Sequence, residues 1–257
     1  MVLYPFFFNF LLLLNSRNRL LLTSSRRSVD RVYFFIPDTN KTVHMKIVAS
    51  LTDPAHASLA EKQGADILEL RFDLMEGDPL ENVQTCRDCS SLPIIATIRS
   101  AREGGQFFGN AGEWFERIKP VVPLVEYVDV EQQFSSFAPN IKESGGLIIS
   151  SHHEGRMPTL PDLFLLEREL REFGDIVKII VTPANEEDVI ELISFTHAIQ
   201  KPLCTGVMGT TFRYARAILP FFGSQLAYCN VGAATAAGQY SVGEFISLIK
   251  LLTCEPS

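Results

Sequence analysis

The chain has 257 residues, long for one ordinary domain and normal for one closed α/β barrel. Hydrophobic residues make up 46% and charged residues 21%, a globular composition, and the formal charge of −7 argues against a nucleic-acid partner, because phosphate binding needs a basic field. Residues 1–44 carry six Lys/Arg and two Asp/Glu, a charge of +4, which leaves −11 on the remainder. An anionic substrate must therefore be met by a local group of arginines inside an acidic body.

The five cysteines, Cys86, Cys89, Cys204, Cys229 and Cys254, are odd in number and scattered. That pattern suits reduced thiols in a cytoplasmic protein better than a disulfide framework. Cys86 and Cys89 form a C-x-x-C, but no second Cys/His pair stands at ligand spacing, so no metal or redox centre is expected.

The first segment, Val2 to Leu14, is apolar apart from Asn9. It is shorter than the roughly 20 residues a membrane-spanning helix needs. Its arginines follow the apolar run rather than precede it, and no small-residue cleavage pattern appears, which is unlike a signal peptide. Asn15 to His44 shows no clear period. Residues 1–44 therefore read as an extension outside the fold, with Met45 a candidate true start and a weak membrane anchor the alternative. No membrane association is expected of the folded part, residues 45–257.

From Met45 onward, short β-rich apolar runs alternate with helical patterns. The runs are 46–50, 66–72, 93–99, 125–131, 146–151, 176–181, 202–208 and 226–231. Helix punctuation lies between them. Asp53-Pro54 is an N-cap with a first-turn proline and Gly64 a stop; Thr159 with Asp162 opens a segment that closes at Gly174; Ser241 and Glu244 have capping-box spacing. Eight strand–helix units in about 210 residues predict a single (β/α)8 barrel of the TIM type. A doubly wound open sheet is the runner-up, but no G-x-G-x-x-G follows the first strand.

Barrel strands are apolar on both faces, so charges inside them need explaining. In the second run, Leu68, Leu70 and Phe72 alternate with Glu69, Arg71 and Asp73, which places the three charges inside, toward the C-terminal mouth where barrel active sites lie. The third run ends in Arg99, followed by Ser100, Glu103 and Gly104-Gly105. The fourth holds Asp129 and Glu131, as suited to bracing the barrel as to touching substrate. The fifth runs into His152-His153, one of which reads as a proton-transfer group, though spacing alone does not choose between them. Lys178 lies inside Ile176–Val181 with apolar neighbours on both sides. Desolvation there would free its amine to attack a ketone, so the residues by themselves point to a Schiff-base enzyme for a small anionic keto acid.

Together, Glu69-Leu-Arg71-Phe-Asp73, Arg99-Ser-Ala-Arg-Glu103-Gly-Gly105, Ser150-Ser-His152, Val177-Lys178-Ile179, Met208-Gly209 through Arg216, and Gly238-Gln239 resemble the type I 3-dehydroquinate dehydratases, in order from about Met45 to Leu252. The resemblance implies a class I aldolase-like barrel that eliminates water from 3-dehydroquinate to give 3-dehydroshikimate, a step of the shikimate pathway to chorismate and the aromatic amino acids. It further implies a cytoplasmic homodimer with no metal or nucleotide cofactor. Lys178 matches the imine-forming lysine, His152 the general acid/base, and Glu103 the carboxylate that orients that histidine. Ser50, Glu69, Arg71, Arg99, Arg216, Thr235 and Gln239 match the positions that bind the substrate's hydroxyls and carboxylate. The chain departs from the pattern at Phe212 and Ala215, where glycine and serine are common, at Thr235 and Ala237 in place of serine and proline, and at His153-Glu154 in place of an acid–aromatic pair. A Schiff-base aldolase for a phosphorylated sugar is the nearest rival. It would share Lys178 but would want a glycine-rich phosphate site after strands 7 and 8.

Overall fold

A computed structural model describes residues 11–15, 19–23 and 45–253. The chain divides into two units, Met1–Thr42 and Val43–Ser257. Within the first, Leu11–Asn15 pairs antiparallel with Arg19–Thr23, Leu11 opposite Thr23 and Asn15 opposite Arg19.

The second unit is built on eight parallel strands: β1 Lys46–Leu51, β2 Ile67–Arg71, β3 Ile94–Thr97, β4 Tyr127–Glu131, β5 Leu147–Glu154, β6 Ile176–Val181, β7 Leu203–Val207 and β8 Leu226–Asn230. They are bonded in the order β8-β1-β2-β3-β4-β5-β6-β7. The two end strands meet through Gln225 N–H donating to Leu203 O at 2.8 Å, so the sheet is a nearly closed barrel. The (β/α)8 expectation is met.

The helices between the strands are α1 Ala57–Gln63, α2 Pro79–Cys89, α3 Ala111–Ile118, α4 Ala138–Glu143, α5 Leu160–Arg171, α6 Glu186–Ala198, α7 Ala215–Ile218 and α8 Val242–Thr253. Their ends follow the local chemistry. Asp53 Oδ1 accepts from Ala55 N at 2.9 Å ahead of α1, and Gly64 closes that helix in the left-handed region at φ 98°. The capping box forms at α8, where Ser241 N donates to Glu244 Oε2 at 2.8 Å and Glu244 N to Ser241 Oγ at 3.3 Å. Among the described residues, no helix is long and apolar enough to cross a membrane. The outward faces of the strands, among them Leu68, Leu70, Val128, Val177 and Ile179, are fully buried beneath the helices.

Candidate active site

Side chains of alternate strand residues fill the barrel interior. Val48, Ile67, Ile95, Ile149, Cys204 and Leu226 form a buried apolar plug. Two residues further along the same strands, that inward face turns polar. Ser50, Glu69, Thr97, Asp129, Ser151 and Lys178 are buried there, with Tyr228 among them.

Lys178 is 3% exposed. Its Nζ donates to Asp129 Oδ2 at 3.0 Å, lies 3.9 Å from Glu69 Oε1, and sits 3.9 Å from the centroid of the Tyr228 ring. The apolar surroundings suggested by its sequence neighbours are therefore not what the amine meets. Val177 and Ile179 turn outward to the helices, and the groups facing Nζ come from β2, β4 and β8.

Each carboxylate here is held by partners from other strands. Glu69 accepts from Ser50 Oγ at 2.5 Å and Thr97 Oγ1 at 2.9 Å. Asp129 Oδ1 accepts from Arg99 at 2.8 Å and Ser151 Oγ at 2.5 Å. Burial pushes the Asp129 carboxyl upward, but Arg99 and Lys178 overcome it and hold the group down at about 2. Arg99 also reaches Glu131 at 3.0 Å, Ser151 at 3.0 Å and Glu103 at 3.2 Å, so its guanidinium works as a clamp on the barrel mouth. Arg71 forks onto Asp73 at 2.9 and 2.8 Å. The Glu103-Gly-Gly turn has a steric reason: a Cβ on Gly105 would stand 2.1 Å from Arg99 O, so only glycine lets the loop fold back over that strand end.

The two histidines part company. β5 runs on through Glu154, so both belong to the strand and point to opposite sides. His153 shares the inward face with Ile149 and Ser151. Its Nδ1 lies 2.9 Å from Glu103 Oε2, which also accepts from the His153 backbone N at 3.1 Å. The resemblance pairs His152 with Glu103 as the acid/base, and the structure corrects that placement. His152 does not line the cavity around Lys178. Its Nδ1 is 3.8 Å from Glu103 Oε1, beyond hydrogen-bond length, and its Nε2 faces Glu154 at 3.7 Å. The reason is strand parity, since a side chain one residue off an inward position faces away from the interior. Burial lowers His153 well below the ordinary imidazole value, with Arg99, Lys178 and Arg71 adding to the effect. Burial also pushes Glu103 up to about 8 against the pull of Arg99, with Glu131 and Asp129 reinforcing the rise.

The other predicted residues converge. Ser50, Glu69, Arg71, Arg99, Glu103, Lys178, Arg216, Thr235 and Gln239 line one cavity of about 120 Å³, and His153, Met208, Ile180 and Tyr228 join them. Arg216 projects from α7, with one terminal nitrogen 3.4 Å from Ala237 O and a buried Nε that has no hydrogen-bond partner among the described residues. Burial holds its guanidinium below the ordinary value, with Arg213 repelling it. A planar cation so placed is suited to a carboxylate, which would satisfy its unused donors. Thr235 N and Oγ1 both donate to Gln239 Oε1 at 3.0 Å, which ties the last loop into a fixed rim.

Phe212, which departs from the resemblance, is buried with Val207, Ala215 and Leu219 and meets Tyr214 edge-on at 6.3 Å. It anchors the loop before α7 in the core. Sequence reasoning missed Thr97, Ser151 and Tyr228, all of which sit at inward positions that counting by twos from the apolar plug would have found. Cys86 is buried and Cys89 exposed, both as free thiols, and among the described residues no three His, Cys, Asp or Glu side chains are grouped to hold a metal ion.

The fold is that of a (β/α)8-barrel enzyme, with a buried lysine among the polar side chains at the mouth. The sequence profile of the type I 3-dehydroquinase family matches residues 44–255. A 3-dehydroquinate dehydratase of Methanoregula boonei is 61% identical over 209 residues, which cover 81% of this chain and all of that relative. One from Methanospirillum hungatei is 39% identical, covering 84% of each chain. Among solved structures, the 3-dehydroquinate dehydratase of Aquifex aeolicus superposes with a TM-score of 0.71 at 29% identity, over 80% of this chain and 98% of that one. The enzyme of Geobacillus kaustophilus superposes at 0.76 over 83% and 93%, and at 24% identity it speaks for the fold alone. The chain belongs to the type I 3-dehydroquinase family of hydro-lyases.

Proposed function

We propose that the chain converts 3-dehydroquinate to 3-dehydroshikimate and water through a Schiff base on Lys178, in the shikimate pathway. The observation that carries this reading is the position of Lys178 Nζ, which lines one small cavity together with the Glu103-bound His153 and the underused guanidinium of Arg216. The substrate has a ketone, a neighbouring CH₂, and beyond it a carbon bearing both a hydroxyl and a carboxylate. Arg216 takes the carboxylate in a bidentate grip. Lys178, held by Asp129, passes a proton to His153 and attacks the ketone carbon as the free amine; the carbinolamine hydroxyl then takes that proton back from His153 and leaves as water, giving an iminium.

The iminium withdraws electrons and acidifies the adjacent C–H. We assign the removal of that proton to His153 rather than His152. With Nδ1–H donated to Glu103, Nε2 of His153 keeps a lone pair for the task. The enamine then expels the β-hydroxyl, which takes the proton back from His153 and leaves as water. Hydrolysis of the conjugated iminium frees the enone and Lys178. Glu69, held by Ser50 and Thr97, and the rim of Thr235 and Gln239 are assigned to the ring hydroxyls.

Borohydride reduction in the presence of 3-dehydroquinate tests the mechanism. The expected result is an adduct mapped to Lys178 by mass spectrometry, with enone absorbance rising in the unreduced reaction even under excess chelator. An adduct on another lysine, or activity that chelation removes and metal restores, would overturn it. The cytoplasmic homodimer is part of the same reading, and light scattering on the purified chain checks the dimer.

A further inference from the structure

Glu103 stands between two imidazoles on two sides of very different character. On the closed side, its Oε2 meets His153 Nδ1 at 2.9 Å and Arg99 at 3.2 Å. On the other side, its Oε1 faces His152 Nδ1 at 3.8 Å, and His152 Nε2 in turn faces Glu154 at 3.7 Å. Along the row His153, Glu103 and His152 the side chains are 13%, 7% and 22% exposed, so His152 is the member most open to solvent. His152 also borders a second cavity of about 380 Å³, lined by Arg102, Gln132, Gln133 and Glu154, with Glu103 and His153 as part of its wall.

We propose that His152 is a positioning residue that passes protons between the Glu103–His153 pair and solvent, so that His153, Glu103 and His152 form a relay out of the buried site. The proposal rests on the reading of His153 as the group that moves the substrate proton. When His153 takes a proton on Nε2, its Nδ1 proton passes to Glu103. Glu103 hands one from its other oxygen to His152 Nδ1, and His152 releases one from Nε2 to Glu154 or solvent. The reverse sequence returns a proton for the departing hydroxyl, so the cycle consumes and produces none. The gap of 3.8 Å is closed by a turn of the imidazole ring or by solvent from the adjoining cavity. The groups facing His152 are Glu103 and Arg102 from the loop after β3, Glu131 of β4, and His153 and Glu154 of its own strand. Burial outweighs the attraction of Glu154 and Glu131 and, with Arg102, holds His152 below the ordinary imidazole value, so a proton that reaches it is readily passed on to Glu154 or solvent. Burial favours the neutral form of both Glu103 and His153, which leaves each able to exchange a proton rather than being locked as ions.

The test is chemical rescue. His152→Ala opens space beside a cavity already large enough for imidazole. It should lower kcat about tenfold, less than the 10²–10⁴ of a group acting directly on substrate, with KM unchanged. Added imidazoles of similar size should restore kcat in order of their basicity, while the weakly basic pyrazole should not, and the wild type should ignore all of them. His152→Gln, which keeps a polar side chain of similar bulk, guards against misfolding and should show the same loss. An unchanged kcat in both variants overturns the relay. So does a loss that no imidazole restores, or one that pyrazole restores equally, since either would mark a packing role. Failure of the relay leaves wild-type dehydration and its loss in His153→Ala intact, whereas an active His153→Ala would bring down the reading on which the relay rests.

Discussion

Two storeys of the barrel interior are made by the same strands with the same parity. The lower is apolar: Val48, Ile67, Ile95, Ile149, Cys204 and Leu226 exclude water and hold the sheet closed. The upper, two residues further along, is as deeply buried yet holds Glu69, Asp129 and Lys178, with Arg99 and Glu131 above. Burial in the lower storey is favourable at about 25 cal/mol per Å² of apolar surface. Burial in the upper costs desolvation of every charge, offset only because each group finds its counterpart across the barrel. The ion pairs of the upper storey run between elements: Lys178 meets β2 and β4, and Arg99 meets β4 and the loop carrying Glu103. Closure of the lower storey is therefore what sets the geometry of the upper.

The largest contrast should come from one substitution in each storey. Lys178→Met keeps the length of the side chain and removes the amine, so turnover and borohydride trapping should both vanish. Asp129 would still hold Arg99, so the melting transition should remain cooperative. Ile95→Val in the plug should do the reverse, costing about 0.5–1.5 kcal/mol in urea titration with kcat unchanged. A Lys178→Met enzyme that still turns over would mean that the upper storey works as a solvent-excluding charge network without the covalent step.

Between those extremes lie the groups that act on substrate without bonding to it. His153→Ala should lower kcat by about 10²–10⁴, the range of a general acid/base. Arg216→Lys keeps charge but loses the planar fork. A lost charge-assisted hydrogen bond of about 1.5–3 kcal/mol should then appear as a rise in KM of roughly 10- to 100-fold. Steady-state kinetics separates the two, since the first change belongs to kcat and the second to KM. An unmoved KM would shift the carboxylate site toward Arg71.

Much of this was legible in the chain. Eight β-rich runs at regular spacing gave the barrel, and the misplaced charges at Glu69, Arg71 and Lys178 gave the mouth, because period-two alternation is a local property. What failed was anything requiring a partner from another strand. The flanks of Lys178 suggested a dry apolar pocket, while Asp129, 49 residues earlier in the chain, supplies the hydrogen bond its amine makes. The histidine register failed for a related reason. Nothing in Ser150-Ser-His-His-Glu154 says how far β5 extends, and only the inward position of Ile149 fixes the count. With His153 as the inward residue, Glu154 becomes the acid that the resemblance expects next. The supposed departure there shrinks to the glycine that follows. Arg99, read as a substrate contact, is bonded to Asp129, Glu131, Ser151 and Glu103. A sequence shows its charge but not how many carboxylates compete for it.

The subtlest expected effect separates two carboxylates that share Arg99. Asp129 is held down at about 2, below its ordinary 3.8, because Arg99 and Lys178 outweigh its burial. Its contribution to stability is fully present above the ordinary value and is lost only as pH falls toward 2. Glu103 goes the other way, raised from 4.5 to about 8 by burial that Arg99 only partly offsets. Between those two values the folded chain holds the Glu103 proton while the unfolded chain has released it, so the native state binds more protons and stability declines as pH rises through that window. Above about pH 8 both states are ionised and the decline stops. Glu103→Gln fixes the neutral form, so its urea midpoint should fall less than that of the wild type between about pH 5 and about pH 8. At the acid end the two should run parallel, both governed there by Asp129. If the variant declines as steeply as the wild type, Glu103 is ionised throughout and Arg99 dominates it as it does Asp129. The first proton transfer out of the site would then have to begin from a charged carboxylate.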